Sequence, residues 1–150
     1  MTGHLASAAI LSNGGFESGL IAWTNSLSSG GAATFSTEPT YFHKGASALR
    51  VSVSNAGSAS NSVRIISTSF SASSTNTYLL RFWANTDKVG AKLGVNLLGA
   101  TPVYPQISFI ISTNSLTSGA RYQEYLYAFQ GGGHGFYFIQ FPIGSTILVG

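Results

Sequence analysis

The chain of 150 residues has no cysteine, which excludes a disulfide framework, thiol chemistry and zinc held by thiolates. Charge is almost as scarce. Asp, Glu, Lys and Arg make up only 7% of the residues, against roughly a quarter in ordinary soluble domains. Glu17, Glu38, Asp87 and Glu124 are the only four acids, and they stand far apart with no shared motif. Glycoside hydrolysis needs two carboxylates at a fixed separation, and no local pattern supplies them. No Gly-x-Ser-x-Gly elbow accompanies the many serines, and His4, His43 and His134 lack metal-ligand spacing. The expectation is therefore a protein that is not an enzyme. The net charge of +3 comes from seven scattered Lys and Arg, so no basic stripe suited to nucleic acid forms. No run approaches the roughly 20 apolar residues of a membrane helix, and Met1 to Leu11 lack the basic and apolar regions of a signal peptide. Neither nucleic acid nor a membrane is expected as a partner.

What the chain does have is apolar material: 44% of residues are hydrophobic and 13% aromatic. That suffices for a core at this length and argues against disorder. Short alternating or apolar segments recur, without helical periodicity, between clusters such as Ser12-Asn13-Gly14-Gly15, Ser28-Ser29-Gly30-Gly31 and Asn55-Ala56-Gly57-Ser58. The pattern predicts strands at 8–11, 33–37, 48–53, 62–70, 77–84, 91–98, 106–111, 122–129, 135–141 and 146–149. Such spacing belongs to an all-β sandwich or barrel. Leu49, Val51 and Val53 alternate with Arg50, Ser52 and Ser54, so one face of that strand is buried. In Tyr78-Leu79-Leu80-Arg81-Phe82-Trp83-Ala84 nearly every position is apolar, as in a strand covered on both faces or lining an aromatic groove. Residues 1–12 read as an N-terminal arm or a first strand, and residues 13–150 as one sandwich domain.

Several segments carry a family resemblance. Asn13-Gly14-Gly15-Phe16-Glu17, then Trp23, then His43-Lys44-Gly45-Ala46-Ser47-Ala48-Leu49-Arg50-Val51 resemble the opening of carbohydrate-binding modules of the family 4, 9 and 22 group. Tyr78 to Ala84 is similar to that group's aromatic strand, and Arg121-Tyr122-Gln123-Glu124-Tyr125 lies where it often has another. The resemblance spans Asn13 to the end of the chain. It implies a jelly-roll β-sandwich of two antiparallel sheets without an active site, often with one structural calcium ion. The ligands it implies are the Glu17 carboxylate and carbonyls from Lys44 to Ser47. The Asp that such modules carry in their last strand is missing from Ser145-Thr146-Ile147-Leu148-Val149-Gly150. Calcium takes six to eight oxygens and usually more than one carboxylate, so that loss weakens the site. Without the ion, Glu17 would cap backbone N–H groups of its own loop.

Sugar binding requires flat aromatic faces and hydrogen-bonding groups beside them. Trp23, Trp83, Tyr104, Tyr122 and Tyr125 are the candidate stacking residues, and Arg81, Gln106, Gln123 and Glu124 the candidate polar ones. Against this, large aromatics in strands pack the core more often than they are exposed. A surface so poor in charge also suits a module built into a larger assembly. The first expectation is a phage virion surface protein, either capsid decoration (cement) or tail. It would be a homo-oligomer, a trimer by analogy, attached to capsid or tail proteins. The alternative is an extracellular glycan-binding module of a secreted polysaccharide-degrading enzyme.

Overall fold

The computed structural model of the chain describes residues 10–89, 91–99, 107–111, 122–130, 137–143 and 147–149. All the regular structure there is strand, in ten elements: β1 Trp23–Leu27, β2 Ala32–Glu38, β3 Ala48–Asn55, β4 Val63–Ser67, β5 Thr77–Asn85, β6 Ala91–Gly99, β7 Ile107–Ile111, β8 Gln123–Gln130, β9 Tyr137–Pro142 and β10 Ile147–Val149. They form two five-stranded sheets. The back sheet runs β1-β4-β9-β6-β7 and the front sheet β2-β3-β10-β5-β8, every described pairing being antiparallel.

The core lies between the sheets because the side-chain period of a strand is two. From the front sheet Leu49 and Val51 of β3 and Leu80, Phe82 and Ala84 of β5 point inward, and Tyr125 of β8 joins them. From the back sheet come Val63 and Ile65, then Leu93, Val95 and Leu97, then Ile139 and Phe141. The Phe82 ring meets Phe141 edge-on at 5.0 Å across the sandwich and stacks on Tyr125 at 5.3 Å within the front sheet.

Predicted strands and observed ones agree to within a few residues wherever the sequence alternates, with two corrections. Ile10 and Leu11 are outside any strand, while residues 1–9, the rest of the expected arm or first strand, lie outside the described residues. Conversely, β1 was not predicted, because Trp23-Thr24-Asn25-Ser26-Leu27 has a single buried residue. Tertiary contacts hold it: Trp23 Nε1 donates to the Asn13 carbonyl at 3.1 Å, and the strand pairs along its full length with β4. Local pattern cannot announce a strand made in that way.

Candidate functional site

The candidate site lies on the outer face of the front sheet, and two loops build its upper end. In the first, Asn13 acts as an organiser. Its side-chain amide donates to the carbonyls of Gly19 and Ile21 at 2.9 and 2.8 Å, and its Oδ1 accepts from the Ser18 N–H. This loop is tied to the second. Both Glu17 carboxylate oxygens accept from the Ala46 N–H at 3.2 and 3.0 Å, and the Ser47 hydroxyl donates to the Phe16 carbonyl at 3.0 Å. Gly45 makes the approach feasible. Its φ is +88°, and a Cβ there would lie 1.9 Å from Glu17 Oε1.

A second network anchors the same loop on the sheet. Glu38, at the end of β2, is 7% exposed and pairs with Arg50 of β3 at 3.1 Å. Its other oxygen accepts from the N–H groups of Thr40 and Tyr41 at 2.8 and 3.3 Å. Burial pushes the Glu38 carboxyl upward, but these N–H groups and the Arg50 guanidinium outweigh it and hold the group below its ordinary value. Next along the loop, the Tyr41 carbonyl accepts from the Tyr122 hydroxyl at 2.7 Å. Burial, followed by the negative charge of Glu38, raises the Tyr122 phenol well above its usual range.

The loop thereby places His43 over β5. The imidazole stacks on the half-buried Trp83 indole, with centroids 4.3 Å apart and planes 11° from parallel, and it meets the Tyr122 ring at 6.0 Å in an edge contact. The Arg81 guanidinium lies 4.9 Å from the centroid of the same indole and is paired with Glu124 of β8. Farther down the face Leu79 and Leu126 are 62% and 54% exposed. Along β5 and β8 the outward side chains thus run from the polar Thr77 and Gln130 at one end through Leu79, Ala128 and Leu126 to Trp83 and the Arg81–Glu124 ion pair at the other.

The sequence-derived candidates divide accordingly. Trp83, Arg81 and Glu124 come together on the outer face, whereas Gln123, opposite Ala84 in the register, belongs to the other face of the sheet and is exposed at the end of β8. Trp23 and Tyr125 are corrections: both are buried in the core, Trp23 between Phe16 at 5.1 Å and Phe141 at 6.1 Å, so neither offers a face to a sugar. Tyr122 is also buried and acts as a support for the loop. Tyr104 and Gln106 lie outside the described residues. His43 was not among the stacking candidates, and nothing in its spacing marks it, since only the fold of residues 39–47 carries it to Trp83.

The calcium expectation concerns Glu17, Lys44 and Ser47. Among the described residues they bring one carboxylate, whose oxygens already accept from a backbone N–H, and no group of three or more acidic, histidine or cysteine side chains gathers anywhere. A calcium shell of six to eight oxygens does not fit that donor set alone.

No family model and no curated protein matches the sequence. Solved structures do match. A family 4 carbohydrate-binding module aligns with a TM-score of 0.71 at 12% identity, over 93% of this chain and 94% of its own. A family 61 carbohydrate-binding module in complex with β-1,4-galactotriose aligns with a TM-score of 0.65 at 14% identity, over 95% and 94%. The enzymatically active domain of tailspike protein 4 of bacteriophage CBA120 aligns with a TM-score of 0.67 at 16% identity, over 93% of this chain but only 20% of that one. The two antiparallel sheets and these likenesses together make the fold that of a carbohydrate-binding-module-like jelly-roll sandwich.

Proposed function

We propose that this protein is a non-catalytic glycan-binding module that holds a polysaccharide against the outer face of β5 and β8, centred on Trp83. The observation that carries the reading is the placement of Trp83. It points away from the core, half-buried, on a strand whose neighbouring Phe82 already fills the core position. Its indole is held by His43, whose loop is fixed in turn by Glu38 and Tyr122. A rigid, preordered ring costs little entropy on binding. Arg81 covers the indole, but its side chain is 57% exposed and its contacts are those of a surface group. A cation over an exposed ring is worth about 0.5–1 kcal/mol, so a sugar ring presenting its C–H face displaces it at small cost. Arg81 and Glu124 then serve as donor and acceptor for the hydroxyl groups at the sugar's rim.

The likeness to carbohydrate-binding modules supports this reading through the fold alone. The test is affinity electrophoresis through gels containing soluble xylan, mixed-linkage glucan or galactan. Retardation by one of them, lost in Trp83→Ala, is the expected result. Equal mobility in every gel removes the proposal.

A second reading is favoured by the tailspike likeness. The same module would be displayed on a virion surface as a homo-oligomer, a trimer by analogy, attached to capsid or tail proteins. Either setting is extracellular in the sense that matters, since the polysaccharide is met outside a cell. A monomeric mass by light scattering excludes the homo-oligomer.

A further inference from the structure

Asn13-Gly14 is the only Asn-Gly step in the sequence. Such a step is chemically labile. The backbone nitrogen that follows an asparagine can attack the side-chain amide carbon, and glycine, having no Cβ, leaves that nitrogen unhindered. Here the step opens the loop of residues 13–22, whose ties to Ala46 and Ser47 shape the upper end of the candidate site. The fold itself does not call for glycine at this position. Gly14 is exposed, its backbone is outside the left-handed region, and a Cβ on it would meet nothing within 4 Å, in contrast to Gly45.

The folded loop withholds the reaction. Asn13 has φ of +48°, a left-handed conformation that asparagine tolerates. Its amide nitrogen donates to the Gly19 and Ile21 carbonyls at 2.9 and 2.8 Å, and its Oδ1 is anchored by the Ser18 N–H at 3.2 Å. The Asn13 carbonyl accepts from the Phe16 N–H and from the Trp23 indole N–H, each at 3.1 Å. Attack by the Gly14 nitrogen requires the amide to leave these partners and turn. The reaction therefore waits on local opening of the loop.

From this arrangement we infer that Asn13-Gly14 is a self-modification site: opening of the loop exposes Asn13 to deamidation, and deamidation keeps the loop open. The Gly14 nitrogen bonds to Asn13 Cγ and loses its proton to solvent. The Cγ–Nδ2 bond breaks, ammonia departs, and a cyclic imide remains. Water opens that ring at either carbonyl, giving aspartate or isoaspartate, and no other reactant is consumed. Neither product restores the ties. A carboxylate only accepts hydrogen bonds, so an aspartate oxygen would face the Gly19 and Ile21 carbonyls where a donor stood. Isoaspartate adds a methylene to the main chain and shifts the carbonyl that holds Trp23. Glu17 belongs to the same loop, so its tie to Ala46 loosens too, and with it the segment that carries His43. The modification is independent of whether the front sheet binds sugar.

The experiment ages the full chain in mildly alkaline buffer, folded and in urea, and locates the mass gain of amide-to-acid conversion by peptide mapping. Conversion at Asn13 is expected in both, at least tenfold faster in urea, and ahead of Asn25 and Asn61, which precede serine. Equal rates in the two states would show that the loop gives no protection, and absence of conversion in urea would show that the step is not a modification site. Either result overturns the inference. Gly14→Ala should melt with the parent, because its methyl group enters open space, yet convert at least tenfold more slowly in urea. Conversion at the parent's rate would overturn the role of Gly14. The consequence is read on the aged fraction, separated by its extra negative charge, and on Asn13→Asp. Both should melt several degrees below the parent, with altered tryptophan fluorescence as Trp23 loses its acceptor. An aged fraction that melts and fluoresces like the parent would mean that the modification leaves the loop closed, and would overturn the second half of the inference.

Discussion

The two sheets share one core but turn different chemistry outward. On the back sheet the outward positions hold Thr24 and Ser26, then Arg64 and Ile66, then Lys92, Gly94, Asn96 and Leu98, then Gln140 and Pro142. Most are small or polar. Asn96 Nδ2 donates to Gln140 Oε1 at 2.6 Å with both residues buried, and a Cβ on Gly94 would press on the Pro142 ring at 3.3 Å. On the front sheet the equivalent positions of β5 and β8 hold Leu79, Arg81, Trp83, Glu124 and Leu126. Large side chains there have no core to fill. Outward positions on a half-buried strand carry fewer packing demands than inward ones, and the proposed binding face draws on that freedom.

Adjacent residues of β5 give the sharpest way to break that contrast. Phe82 points inward against Phe141 and Tyr125, and Phe82→Ala should cost about 3–5 kcal/mol of stability in chemical denaturation. Trp83 points outward, and Trp83→Ala should cost less than half as much while removing polysaccharide retardation. Equal destabilisation by the two would place Trp83 in the structural class and dissolve the difference between the faces.

Next in size is Gly45→Ala. With φ at +88° and Glu17 Oε1 in the place of the new methyl group, the two loops must part. Positive-φ strain together with loss of the Glu17 contact is expected to cost about 2–3 kcal/mol. Because the loop carries His43, the indole should lose its partner, seen as a change in tryptophan fluorescence. No fluorescence change would mean that His43 is positioned independently of the Glu17 tie.

Smaller still is the acid effect at Glu38. Its carboxyl titrates below the ordinary 4.5 in the folded protein. A lowered folded value means that the unfolded chain takes up the proton first. The stabilisation is therefore complete above about pH 4.5 and is lost as pH falls through the folded value. Glu38→Gln should remove that part of the acid dependence and cost about 1–2 kcal/mol at neutral pH through the weakened Arg50 contact. At the alkaline end Tyr122 acts in the opposite sense. Its raised phenol favours folding below pH 10, and the gain is lost as pH rises beyond that, so Tyr122→Phe should flatten the alkaline limb.

The sequence made these features legible to different depths. The alternation of Leu49, Val51 and Val53, and the motif at Asn13 to Glu17, announced the sandwich because both depend on residues close in the chain. β1 was hidden because its place depends on a hydrogen bond from Trp23 to Asn13 and on pairing with Ser67 to Val63, forty residues away. The site was half legible. An apolar run such as Tyr78 to Ala84 cannot say which alternate set faces out, and the structure assigns Leu80, Phe82 and Ala84 to the core and Leu79, Arg81 and Trp83 to the surface. His43 was illegible, since its stacking follows from a loop fixed by Glu38, Tyr122 and Glu17 from three separate strands or loops.

Arg81→Ala probes the front face most finely. Its ion pair with Glu124 joins side chains that are 57% and 37% exposed, and surface pairs contribute less than about 1 kcal/mol. Stability should therefore change little. Binding depends on what Arg81 does over the indole. As a removable cover that later bonds sugar hydroxyl groups, it contributes two effects of opposite sign, because alanine uncovers the ring and forfeits a charged donor. The net change in affinity should then be several-fold at most, far smaller than that of Trp83→Ala, and Arg81→Lys should fall between alanine and the parent. A loss as large as that of Trp83→Ala would instead make the guanidinium the principal contact and shift the weight of recognition from stacking to charge-assisted hydrogen bonding, a dependence that rising salt would weaken.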